Sequence, residues 1–187
     1  MTIPIILLFI LLGLIVFAGF WLMGSYNGLV TLRQAVKNAW AQIDVQLKRR
    51  HDLIPNLVNT VKGYAAHEKE TFERVINARA RATSATSPAE VIKAEGELSS
   101  ALTRLLAVSE SYPELKANQN FLSLQEELTS TENRVAYARQ FYNDNVTRLN
   151  TRIQTFPTVV IAGMFGFREE PFFEAPSEEK QAPKVEF

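Results

Sequence analysis

The chain has 187 residues, and its 20 Lys and Arg side chains are balanced by 20 Asp and Glu, so the formal net charge at neutral pH is zero. This balance argues against a protein that binds nucleic acid through a broadly basic surface. The absence of cysteine excludes disulfides, thiolate metal sites and cysteine nucleophiles, and two histidines are too few for a histidine-rich metal centre.

An almost unbroken apolar run extends from Ile3 to Met23, and no charged side chain occurs before Arg33. As a helix this run is about 30 Å long, close to the hydrocarbon thickness of a bilayer. A cleaved secretory signal would have a basic n-region, a shorter apolar core and small residues near its cleavage site, whereas Phe20 to Met23 are large. We therefore predict a retained transmembrane anchor over residues 1–25.

Charge on either side of the anchor predicts its orientation. Arg33 and Lys37 follow the run closely, within the window of about 15–20 residues in which cytoplasmic flanks are enriched in basic residues. The first acidic residue is Asp44, and the short N-terminal flank has no charged side chain. We expect the N-terminus outside and the large C-terminal part in the cytoplasm.

From Tyr26 onward, apolar residues recur at helical spacing and no strand pattern is present. The first soluble helix is predicted over about 26–66, with an apolar seam in steps of three, four and seven that is typical of a coiled coil. Pro55 lies in this helix, but the seam keeps its phase across it, which favours one kinked helix over two. The seam residues are Val36, Trp40, Ile43, Leu47, Ile54, Leu57 and Val61.

A turn over 63–68 precedes a second helix, predicted over about 68–83. The next loop ends at Ser87 and Pro88, which predict the N-cap and first position of a third helix over about 88–110. The second helix presents Phe72, Val75, Ile76 and Arg79 on one face, and the third presents Val91, Glu95, Leu98, Leu102 and Leu105.

Tyr112-Pro113 interrupts the pattern, because proline disfavours the helical conformation of the residue before it. A fourth helix is predicted over about 113–155, with Pro157 ending it. Its heptad positions are Phe121, Leu128, Val135, Tyr142, Leu149 and Phe156. The fold class is therefore all-α: a transmembrane helix followed, over residues 26–157, by an antiparallel up-and-down bundle of two long and two shorter helices.

The uncharged segment 158–167 is too short to span a membrane. In an up-and-down bundle the fourth helix returns toward the anchor, which leaves two interpretations open. The segment either contacts the membrane interface or covers the open end of the bundle. Its candidate contact residues are Val159, Val160, Ile161, Met164, Phe165 and Phe167. The remaining residues, 168–187, form an acidic tail with several prolines and are predicted to be flexible or loosely packed.

Charged residues in the helices have structural interpretations. In Lys48-Arg49-Arg50, only Arg50 falls on the apolar seam, so we predict that it is buried and paired with an acid from another helix, for which Glu132 is a candidate. The adjacent pair His51-Asp52 could be a base with its orienting carboxylate, but capping or a structural hydrogen bond is favoured.

No site motif is recognisable in the sequence. Glu126 and Glu127 are interpreted as surface charge, since no Glu-x-x-His pair accompanies them, as a carboxylate-bridged metal bundle would require. No phosphate loop, dinucleotide fingerprint or hydrolase elbow is present. We assign no catalytic, cofactor-binding or metal-binding residue.

Several long segments carry a family resemblance: Tyr26-Asn27, residues 39–68, residues 112–157, Gly166-Phe167, and residues 172–174. Through them the chain resembles the LemA family over nearly its full length. The resemblance implies a single-pass membrane anchor, an antiparallel helical bundle and a place at the bacterial inner membrane. It links the chain loosely to membrane organisation and to quality control beside a membrane metalloprotease, and it supplies no catalytic residues.

These observations favour a non-enzymatic, membrane-anchored helical scaffold or adaptor. Its expected partners are the lipid bilayer and either another protein or further copies of itself, with no nucleic acid, small-molecule substrate or cofactor. The alternative is a lipid-surface sensor or membrane-shaping protein that assembles through its bundle. A hydrolase or metalloenzyme is disfavoured.

Overall fold

The computed structural model describes residues 2–173, and within them it contains α-helices and no strand. The helices are α1 (Thr2–Lys62), α2 (Lys69–Ser84), α3 (Pro88–Ser109), α4 (Pro113–Lys116), α5 (Gln119–Gln154) and α6 (Thr158–Met164). This confirms the predicted all-α bundle fold. The described part of the chain divides into two compact units. Unit 1 comprises residues 2–40 and 141–171, and unit 2 comprises residues 41–140 and 172–173.

Helix α1 continues without a break through the predicted boundary between residues 25 and 26 and ends at Lys62, before the predicted turn. The side chains of residues 4–24 are all exposed, and within the described residues this is the one helix long and apolar enough to cross a membrane. Beyond it, the predicted seam is buried except at Trp40, which is half-buried. Pro55 lies inside the helix, as predicted.

Helices α2 and α3 begin and end within one residue of their predicted limits. Ser87 caps α3: its hydroxyl accepts from the Glu90 N–H at 3.3 Å, and the Glu90 carboxylate accepts from the Ser87 N–H at 3.2 Å. Hydrogen bonds from the backbone N–H groups of Ser87 and Thr86 lower the pKa of Glu90. The reciprocal bonds satisfy N–H groups that the first turn of a helix leaves free.

The prediction of one helix over 113–155 is wrong at its beginning. The chain forms the short helix α4 and then starts again at α5. Asn118 causes the restart, because its side-chain oxygen accepts from the Phe121 N–H at 3.0 Å and so caps α5. The heptad positions of this helix are buried from Phe121 to Leu149, but the last one, Phe156, lies beyond the end of α5 and is 80% exposed.

Unit 2 has an apolar core to which α1, α2, α3, α4 and α5 all contribute. Its fully or nearly buried side chains include Ile54, Leu57, Val61, Phe72, Val75, Leu98, Leu102, Leu105, Leu115, Phe121 and Leu128. Phe72, Val75 and the α3 positions other than Val91 and Glu95 are therefore core residues, as their spacing predicted, whereas Ile76 is exposed. Burial of these faces is what stabilises helices of this length in water.

Candidate membrane-interface site

The segment 158–167 contains the short helix α6, which has two different faces. Thr158, Ile161 and Ala162 are buried, and they recur at helical spacing on the inner face. Val159 and Val160 are exposed on the other face, and Met164 is 70% exposed. The helix therefore covers part of unit 1 with one face and presents apolar side chains outward with the other.

Two aromatic residues after α6 attach the segment to α1. Phe165 lies against Tyr26, with ring centroids 4.8 Å apart, and Phe167 meets the same ring edge-on at 5.9 Å. The Arg33 guanidinium carbon lies 4.9 Å from the centroid of the Phe167 ring, within cation–π range. Gly166, at φ +68°, makes the turn that allows both rings to reach α1.

The structure divides the six predicted contact residues into two sets. Ile161 and Phe167 are buried within the protein, so neither can form part of an outer contact surface. The other four, Val159, Val160, Met164 and Phe165, are exposed. A fifth exposed apolar side chain, Phe156, lies just before α6 and was not among the six candidates. We define these five exposed residues as the outer patch; its contact with lipid stays a prediction.

The tail was predicted to be flexible or loosely packed; residues 168–173 have no regular secondary structure but form specific contacts with α5, and residues 174–187 lie outside the described part of the chain. Asn150 donates to the Glu170 carbonyl at 2.9 Å and accepts from the Glu170 N–H at 3.0 Å. The Tyr142 hydroxyl donates to the Pro171 carbonyl at 2.9 Å. Burial, with a smaller contribution from the Glu170 carboxylate, raises the pKa of Tyr142 to about 12. These contacts hold the segment after α6 against α5.

A second cluster lies in unit 2 and consists of buried charged groups. Arg50 is buried, as predicted, and its Nη1 lies 2.9 Å from Oε2 of the fully buried Glu95. Its Nη2 donates to the Ser99 hydroxyl at 2.7 Å and lies 3.1 Å from the Glu132 carboxylate. The prediction that Glu132 pairs with the seam arginine is confirmed, whereas Glu95 was recognised only as a face position of α3.

His51 belongs to the same cluster. Its Nε2 lies 2.6 Å from Oε1 of Glu95, so its partner is a carboxylate on α3 and not the adjacent Asp52. His51 thus forms a hydrogen bond within the bundle, as the sequence favoured, with Glu95 as its partner. Glu95 thereby receives hydrogen bonds from two side chains of α1, which offsets the cost of burying a carboxylate.

Arg79 on α2 donates from Nε to the backbone carbonyl of His51 at 2.7 Å. In a regular helix this carbonyl accepts from the N–H four residues later, but that residue is Pro55, which has no N–H. Arg79 therefore supplies a donor where the proline removes one. The neighbouring surface has a cavity of about 300 Å³ lined by residues of α1, α2 and α3, including Lys48, His51 and Arg79.

Among residues 2–173, no group of three or more His, Asp and Glu side chains is arranged to hold a metal ion. Glu126 and Glu127 are both exposed, as predicted. The described residues form hydrogen bonds and ion pairs between helices, and they present an exposed apolar surface beside α1.

The fold and the site define an all-α protein whose first helix is apolar enough to span a membrane and continues into a helical bundle. The LemA family model matches residues 39–187, which is more than half of the chain. The chain belongs to the LemA family.

Similar proteins include magnetosome protein MamQ 2 of Paramagnetospirillum magneticum, which is 24% identical over 179 residues, covering 82% of this chain and 66% of that protein. Magnetosome protein MamQ of Magnetospirillum gryphiswaldense is 25% identical over 178 residues, covering 81% and 65%. Protein LemA of Metamycoplasma hominis is 26% identical over 156 residues, covering 81% and 70%. The chain thus spans slightly less than two thirds of the length of the MamQ proteins that it matches.

Proposed function

We propose that this protein is a non-enzymatic scaffold or adaptor, held at the inner membrane by the first part of α1, that recruits a protein partner or further copies of itself. The observation that carries the proposal is the exposure of every side chain of residues 4–24 in a helix that continues into the bundle. Contact of this apolar surface with water would cost a large free energy, whereas the hydrocarbon core of a bilayer would accommodate it.

The bundle supports a scaffold because its buried polar groups are used to join helices. Arg50 and His51 of α1 both bond to Glu95 of α3, and Arg50 also pairs with Glu132 of α5. Such a domain offers long helical faces for a partner. Exposed apolar side chains on unit 2, namely Val45, Ile76, Leu122 and Tyr137, are suitable positions at which to search for one.

The basic residues that follow the anchor support an orientation with the N-terminus outside and the bundle in the cytoplasm. Membrane organisation and membrane-protein quality control are the processes that the family resemblance suggests for the scaffold.

Two measurements on the full chain test the anchor and its orientation. The protein should remain with cell membranes after alkaline carbonate extraction, and release into the supernatant would contradict a transmembrane anchor. Because the natural chain has no cysteine, Thr147→Cys introduces a single thiol at an exposed position. An impermeant maleimide should label it only after the cells are permeabilised, and labelling of intact cells would reverse the orientation.

A photo-crosslinking amino acid tests the scaffold role. It is placed at Tyr137 or Ile76 in the full chain, and the buried position Val135 serves as the matched control on α5. Discrete adducts of constant mass from an exposed position, and none from Val135, are the expected result. If every exposed position of α1, α2 and α5 gave no adduct in living cells, a stable protein partner or homo-oligomer would be contradicted.

A further inference from the structure

We propose that the outer patch, formed by Phe156, Val159, Val160, Met164 and Phe165, inserts into the interfacial layer of the same bilayer and forms a second attachment beside the anchor. The inference rests on the proposed anchor. The occupant of the patch is lipid, and the patch adds a shallow contact to a helix that spans the membrane.

The chemistry of the patch suits the boundary between headgroups and acyl chains. Residues 156–167 contain no charged side chain, and the most exposed members of the outer patch are Phe156, at 80%, and Met164, at 70%. Exposed apolar side chains on a short amphipathic helix bind at this boundary by burying their surface about 5–10 Å deep, without crossing the membrane. The inner face of α6 is already occupied by protein, so the outer face is free for lipid.

The position of the patch selects lipid over other apolar partners. Phe165 contacts Tyr26, which follows the anchor after Trp21, Leu22 and Met23, all of them exposed. From Trp21 to Tyr26 the helix rises only about 7.5 Å. The patch therefore continues the apolar surface of the anchor at the level where aromatic residues meet the headgroups.

Contacts on the other side of the segment limit its depth. The Arg33 guanidinium stacks on Phe167, and Arg33 lies about 10 Å further along α1 than Tyr26. Because a charged guanidinium is expensive to bury in hydrocarbon, this contact belongs on the aqueous side of the interface. Phe165 lies next to the end of the anchor, and Arg33 marks the aqueous side. The outer patch therefore lies between hydrocarbon and water, in the interfacial layer.

The packing of α6 also makes the patch suitable for binding. Ile161 and Phe167 are buried, and Asn150 bonds to Glu170 on both its N–H and its carbonyl just after the segment. The backbone that carries the outward side chains is consequently ordered before lipid binds. Insertion of this segment therefore costs less conformational entropy than insertion of a disordered segment.

Nitroxide labels on single cysteines of the full-length chain test the proposal. The chain is reconstituted into vesicles of phosphatidylethanolamine and phosphatidylglycerol with a label at Val160→Cys or Met164→Cys. Leu14→Cys marks the anchor, and Thr147→Cys, exposed and polar on α5 in the same unit, is the matched control. The measurement is the collision rate of each label with oxygen, which concentrates in lipid, relative to that with a water-soluble nickel chelate.

Labels at positions 160 and 164 should give an oxygen-to-nickel ratio above that at 147 and below that at 14. A ratio equal to that at 147, with position 14 still in lipid, would overturn the second attachment and leave the anchor intact. Shielding of 160 and 164 from both reagents would also overturn it, because a protein would then cover the patch. A water-like ratio at position 14 would instead contradict the proposed anchor itself.

Discussion

The contact between Arg79 and the backbone of α1 makes a testable prediction about Pro55. Arg79 Nε donates to the carbonyl of His51, the residue whose usual helical donor is missing because position 55 is a proline. If this compensation is real, Arg79→Met should destabilise the natural chain more than it destabilises a Pro55→Ala chain. Alanine restores the N–H of residue 55 and so gives the carbonyl its normal partner.

The size of the effect follows from the geometry. The bond is 2.7 Å long, its donor is charged, and its acceptor belongs to the buried residue His51. Hydrogen bonds of charged groups contribute about 1.5–3 kcal/mol, and because Arg79 is only half-buried we expect a loss of about 1–2 kcal/mol in the natural background. In the Pro55→Ala background the loss should fall to about 0.5 kcal/mol or less, since the carbonyl remains satisfied.

A double-mutant cycle measures this difference directly. The full-length natural chain, the two single variants and the double variant are reconstituted into nanodiscs, and urea unfolding is followed by far-ultraviolet circular dichroism. The expected coupling free energy is about 1 kcal/mol, above the deviation of about 0.5 kcal/mol tolerated for independent sites. If Arg79→Met costs the same free energy in both backgrounds, Arg79 does not compensate for the proline and the reasoning is wrong.

Three further predictions concern the same unfolding measurement. Glu95→Gln should lower the free energy of unfolding by about 3 kcal/mol, because it removes the buried carboxylate that pairs with the buried Arg50 guanidinium. Glu97→Gln on the exposed side of α3 should cost less than about 1 kcal/mol, and equal losses would contradict a role for burial. Ser87→Ala should cost about 1 kcal/mol through loss of the cap, against almost nothing for the exposed Ser123→Ala. Because the pKa of Tyr142 is raised to about 12 from its ordinary value of 10.0, the stability that its neutral hydroxyl contributes is complete below pH 10 and is lost between about pH 10 and 12. The Tyr142→Phe variant should lose less unfolding free energy than the natural chain between about pH 10 and 12. The same loss in both proteins would refute the role given to the Tyr142 hydroxyl.

Features that depend on neighbours along the chain were predictable from the sequence. The Ser87-Pro88 cap, the limits of α2 and α3 and most of the apolar seam of α1 follow from local rules of helix geometry. The pairing of Arg50 was also predictable, because a lone cation on an apolar stripe needs a buried anion and a bundle offers few.

Two features departed from what heptad spacing and composition indicated. The spacing of Phe156 continues the heptad, but the helix ends at Gln154 and leaves its ring outside. The prolines and acids after Phe167 suggested a loose tail, but backbone groups of Glu170 and Pro171 find partners in Asn150 and Tyr142. A backbone hydrogen bond of this kind leaves no pattern in the side chains of the segment.

The buried charges of unit 2 have a consequence for the specificity of the fold. Apolar heptads alone allow helices to slide past one another by one repeat at modest cost, because one apolar residue replaces another. In this bundle such a slip of α1 would remove Arg50 and His51 from Glu95 and leave charged groups in an apolar environment. We therefore interpret the cluster as a determinant of helix register, with Arg79 setting α2 against the same turn of α1 through the His51 carbonyl. A proline in the middle of α1 is consistent with this role. Because Pro55 has no N–H, the His51 carbonyl has no donor within α1 and is available to accept a hydrogen bond from another helix.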